Sequence, residues 1–117
     1  MSVAVANRLP DGRLHLQHGP IDLICEAWGR SDLVEAGYRR ACRRFDGLLE
    51  ELVSELPALR SENKALIGPI PRAMGWAVAP FRPQFITPMA AVAGAVAEAF
   101  SQGAFDPAAR TAASMTR

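Results

Sequence analysis

Two cysteines, two histidines and one tyrosine are all that 117 residues hold of those types, and thirteen Lys and Arg stand against twelve Asp and Glu. The formal charge of +1 leaves no strong field to draw in nucleic acid or an anionic membrane. Cys25 and Cys42 lack CxxC spacing, so they read as small buried thiols of a reducing compartment rather than a disulfide or a metal pair. His15 and His18 sit three apart on an expected strand and project from opposite faces, which excludes a shared metal. The longest uncharged apolar stretch, Pro83 to Ala97, falls short of the ~20 residues that cross a bilayer. Met1 to Asn7 carries no basic leader ahead of an apolar run, so no secretory signal is visible and the cytoplasm is the expected location. GxSxG, HExxH, Walker and GxGxxG patterns are all missing, and motifs nominate no catalytic nucleophile.

What is present describes a folded domain, since half the residues are apolar and 21% are charged. Val3 and Val5, then Leu14 and Leu16, then Ile21, Leu23 and Cys25 alternate with polar or small residues, the period of half-buried strands. Pro10-Asp11-Gly12 and Gly19-Pro20 supply turns between them. An antiparallel three-stranded meander is expected. Asp32, with Glu35 three residues on, has the spacing of a capping box and should open a helix. Its apolar stripe runs from Val34 through Tyr38, Ala41, Phe45, Leu48 and Leu52 to Leu56, ending before Pro57. Arg39, Arg40, Arg43 and Arg44 lie opposite as a solvated face, diluted by the acids that follow. Asp22 and Glu26 share a strand face but stand ~13 Å apart, wide for paired acid and base work.

Pro57 to Pro71 reads as a linker, with Gly68-Pro69-Ile70-Pro71 forbidding regular helix, and Arg72 to Ala79 as a short helix. A second clear helix is expected from Thr87, a hydroxyl cap followed by Pro88 at the first helical position, through Val92, Val96 and Phe100 to Gly103. Its many Ala residues and Gly94 make it slim, so a ligand or another backbone can approach closely. The Thr87 end is the best site candidate, because orphan amides and the positive dipole end favour an anion such as a diphosphate. From Ala104 on the pattern stops, and 104–117 reads as a frayed tail. The order of elements is α+β, or an incomplete α/β layer.

Three blocks resemble a bacterial ApbE-like family, relatives of the FAD-dependent FMN transferases: Leu9 to Ile24, Arg43 to Leu52, and Phe85 to Ala97. The similarity covers about residues 8 to 100, so 1–103 is expected to be the N-terminal portion of an ApbE-like domain and 104–117 a tail outside it. The resemblance implies an ApbE-like fold with the slim helix beside a flavin nucleotide such as FAD, held by Thr87, Ala90, Ala93 and Gly94. Ala93 and Gly94 stand for part of an Ala-Lys-Gly helix start, although no Lys separates them here. Magnesium belongs to complete relatives, whose Asn-Gly-Gly-Asp segment and later Asp and Thr have no counterpart after Phe100. The expectation is therefore a flavin-nucleotide-binding fragment that performs no catalysis by itself and forms a homo-oligomer through uncovered apolar surface. The alternative is a non-enzymatic scaffold that self-associates without any ligand.

Overall fold

The computed structural model describes residues 3–102 and 110–116. The three expected strands form: β1 (Val5–Arg8), β2 (Leu14–His18) and β3 (Ile21–Trp28), paired antiparallel in sequence order. Gly12 makes the first turn, its φ of +90° being costly for any residue with a Cβ. Its N–H meets the Leu9 carbonyl at 2.9 Å, and the Asp11 carboxylate accepts the Arg13 N–H at 3.1 Å. Gly19, at φ +57°, opens the two-residue turn between His18 and Ile21.

A fourth strand, β4 (Arg110–Thr116), lies antiparallel on the far side of β3, so the sheet order is β1-β2-β3-β4. The frayed tail expected from 104 on is thus a strand over 110–116, while 104–109 and 117 lie outside the described residues. The stretch has little alternation of its own. Seven residue pairs, from Asp22↔Thr116 to Trp28↔Arg110, join it to the edge that β3 would otherwise leave unpaired.

Helices cover one face of this sheet, giving the α+β class. Leu14, Leu16, Ile21, Leu23 and Cys25 point into that layer, and the alternate residues His15, Gln17, Asp22 and Glu26 lie on the open face. The alternation expected at Val3 and Val5 is displaced by one. Val5 pairs with Gln17 and is 47% exposed on the open face, because the register turns Ala6 and Arg8 toward the helices. Arg8 then forks onto Glu35 of the first helix at 2.7 and 2.9 Å and lies 4.4 Å from the Tyr38 ring centroid.

That helix, α1 (Ser31–Asp46), starts one residue before Asp32, and Arg30 rather than Asp32 occupies the cap position, with no side-chain cap bond. The capping box does not form. Asp32 is drawn to Arg30 at 2.6 Å and Glu35 to Arg8, and such charge-assisted forks outcompete a bond to a backbone amide. Tyr38, Ala41 and Phe45 seat α1 on the sheet, with the Tyr38 hydroxyl accepting the Ala27 N–H at 3.1 Å.

The long stripe is also interrupted. Gly47 ends α1, and α2 (Leu48–Ser54) and α3 (Leu56–Leu59) follow as separate short helices; Val53 is 55% exposed. Pro57 stands in the first turn of α3, where its missing N–H costs nothing. The same reasoning corrects Gly68 to Pro71: Pro69 begins α4 (Pro69–Val78) instead of forbidding a helix. Glu55 ties α4 in place, its carboxylate accepting the Ile67 and Gly68 amides at 2.7 and 2.8 Å. Beyond a loop, residues 88–91 form a 3-10 turn that leads into α5 (Val92–Gln102). Phe100 of α5 meets Phe45 of α1 edge-on at 6.2 Å, joining the two halves of the core.

Candidate functional site

The turn at 88–91 separates two concavities. One is a pocket of about 460 Å³ between the β2–β3 turn, α2, the end of α3, the start of α5 and β4. Its walls are Pro20, Ile21, Leu49, Leu52, Leu56, Met89, Val92 and Met115, and among the described residues Arg60 is the one charged residue lining it. The volume lies in the range of small-molecule sites, which are mostly apolar with a few polar groups to fix orientation.

Two stripes on α2 and α3 explain its origin. Phe45, Leu48 and Leu52 follow the fully buried line, whereas Leu49, Leu52 and Leu56 follow a neighbouring line at spacings of three and four. The second line faces the pocket, which is why Leu49 and Leu56 remain only half-buried. Arg60 follows directly after α3, where its exposed guanidinium has no ion-pair partner among the described residues.

The second concavity is a groove between α4 and α5, with compartments of about 370 and 360 Å³. Of the residues expected to hold a nucleotide, Ala90 and Gly94 line this groove, whereas Thr87 and Ala93 line neither concavity. The Thr87 side chain makes no cap bond; its backbone carbonyl instead accepts the Ala90 N–H at 3.0 Å in the 3-10 turn. The expected α-helical start at Thr87 is therefore shifted to Val92. A Cβ placed on Gly94 would meet nothing within 4 Å, so the glycine is not demanded by packing. Among the described residues the groove's one charge is the carboxylate of Glu98, which repels a diphosphate.

Several other polar groups are engaged within the fold, although the buried Nδ1 of His18 has no hydrogen-bond partner among the described residues. His15 hydrogen-bonds Asp22 across β2 and β3 on the open face, and His18 lies on the opposite face, its ring centroid 6.4 Å from that of Phe45. Arg44 pairs with Glu51 at 2.8 Å. Burial pushes the Cys25 thiol up to about 12 and raises Cys42 as well, which keeps both neutral and poorly nucleophilic; both are free thiols. The Arg8 guanidinium holds the exposed Glu35 carboxyl below the usual carboxylate range, the signature of a surface clamp. No group of three metal-ligating side chains occurs among the described residues, and none of their helices is long and apolar enough to cross a membrane.

Residues 6–113 match the profile of a family described as AbpE bacteria. The chain belongs to this bacterial AbpE family. The match begins in β1 and runs into β4, so it takes in the groove and every wall of the pocket named above except Met115. No curated protein and no solved structure matches the chain.

Proposed function

We propose that this AbpE-family chain binds a flavin nucleotide, with the flat ring in the pocket beside Met89 and Val92 and the phosphate at Arg60. The single observation that carries the reading is the composition of that pocket: among the described residues, apolar walls with one unpaired guanidinium. An aromatic ring gains from apolar walls, and an Arg fork suits phosphate geometry. The flavin class comes from the resemblance of Phe85 to Ala97 and its two companion blocks to the ApbE-like relatives of FMN transferases. That resemblance and the pocket meet at one place, since Met89 and Val92 lie within the third block.

The site in this proposal lies on the opposite side of the 88–91 turn from Ala90 and Gly94, because Glu98 makes the groove a poor host for phosphate. Magnesium, which the resemblance attaches to complete relatives, does not fit the described residues, which bring together no group of three metal-ligating side chains. Binding, without catalysis, is the proposed activity. A reducing cytoplasm is the compartment this reading takes, in keeping with two free cysteines.

Fluorescence quenching of FMN on titration with the protein tests the proposal. Saturable quenching is expected, and Leu56→Trp, which fills the pocket from a half-buried position, should abolish it while the circular dichroism spectrum stays unchanged. Quenching that survives in a folded Leu56→Trp variant, or none in the parent chain, would overturn it.

A further inference from the structure

The groove between α4 and α5 is built from small residues. Ala73, Ala95 and Glu98 are shared by its two compartments, and Ala77 and Gly94 extend it. Trp76 forms part of one wall yet is 69% exposed, and the Arg72 guanidinium lies 5.8 Å from its ring centroid. Neither the Arg72 nor the Glu98 side chain has an ion-pair partner among the described residues. One face thus carries a large apolar knob, a hole floored by small side chains, an unpaired cation and an unpaired carboxylate.

We propose that this face is the interface of a homodimer, in which Trp76 of each copy enters the α4–α5 groove of the other and Arg72 of each copy meets Glu98 of the other. A two-fold interface places the same surface on both sides, so it must be complementary to itself. Here both halves of the steric pair and both halves of the charge pair stand on one face. An unrelated partner needs only one half of each pair opposite it, and nothing would require the chain to carry both. Exposed Trp is also the residue type most often found as an energetic centre of interfaces, where burial in a dry pocket recovers the surface it leaves in water. The proposal does not depend on the flavin reading, because Met89 and Val92 face the other concavity.

Sedimentation velocity of the full chain across the micromolar range tests it. A concentration-dependent dimer is expected. Trp76→Ala should raise its dissociation constant roughly tenfold or more, as for a central interface aromatic, and Gly94→Leu, which fills the groove, should do the same. Circular dichroism confirms that the variants fold, both positions being exposed. Arg72→Glu alone and Glu98→Arg alone should each weaken the dimer, and the two together should restore it, a rescue that a merely structural role would not produce. A monomer throughout the range, a dimer indifferent to Trp76→Ala, or a double variant as weak as the singles would overturn the proposal.

Discussion

The sheet with α1 and the pair α4–α5 both bury large apolar side chains but differ in what they leave at the surface. In the first region large side chains are covered: Leu16, Leu23 and Phe45 are at most 1% exposed, and the rim is locked by the Arg8–Glu35 fork and the Tyr38 hydroxyl. The second also buries Met74, Val96 and Phe100 on its inner side, but on its outer side the large side chain Trp76 faces outward and small ones line a groove. Apolar composition therefore serves stability in both places and leaves concave surface in the second. Arg60 and the pocket lie between them, at the seam where α3, the 3-10 turn and β4 meet without closing.

The sharpest way to break this contrast is Phe45→Ala. Phe45 packs against both His18 and Phe100, so its loss should cost about 3–5 kcal/mol in chemical denaturation, as for other buried aromatics. A cost under about 1 kcal/mol would show that the first region is not a stabilising one. Next comes alkali. An unfolded thiol releases its proton near pH ~8.5, whereas folded Cys25 keeps it to about 12, so the native state binds more protons and stability should fall between those values. The full contribution is present below the unfolded value. Urea midpoints at pH 8 and pH 10 for the parent and Cys25→Ala measure it, and an equal decline in both proteins would refute the assignment.

Smaller changes probe the second region. Gly94→Ala should stabilise by up to ~1 kcal/mol, since the site is helical and open and glycine is the poorer helix former. A destabilised protein by thermal melting would mean that the groove is closed. Thr87→Ala should change stability by less than ~0.5 kcal/mol, because no cap bond is lost, where a capping threonine would cost about 1 kcal/mol.

These positions also show what was legible in the sequence. The meander and its turns followed from period-2 alternation and from Gly12 and Gly19, because local sterics decide them. The strand 110–116 did not, since its pairing is dictated by the β3 edge rather than by its own pattern. Asp32, Glu35 and Thr87 were expected as caps from local spacing. Two of them were claimed by arginines, one of these, Arg8, lying 27 residues away, and the third was bypassed by a 3-10 turn. Arg60 could not be singled out, because a lone cation in a polar stretch acquires meaning only when Leu49, Leu56 and Met89 converge beside it. The one signal was the second leucine line on α2 and α3, wider than a single core face requires.

The proposal that Arg60 holds the phosphate of a ligand seated in the apolar pocket is tested by comparing FMN with riboflavin. The two share the ring and differ by the phosphate. Titration calorimetry should give the parent chain a preference for FMN of roughly tenfold or more, the scale of a charge-assisted hydrogen bond, and Arg60→Ala should erase that preference while leaving riboflavin binding unchanged. Equal affinity for the two ligands in the parent, or an FMN preference that persists without Arg60, would contradict the account.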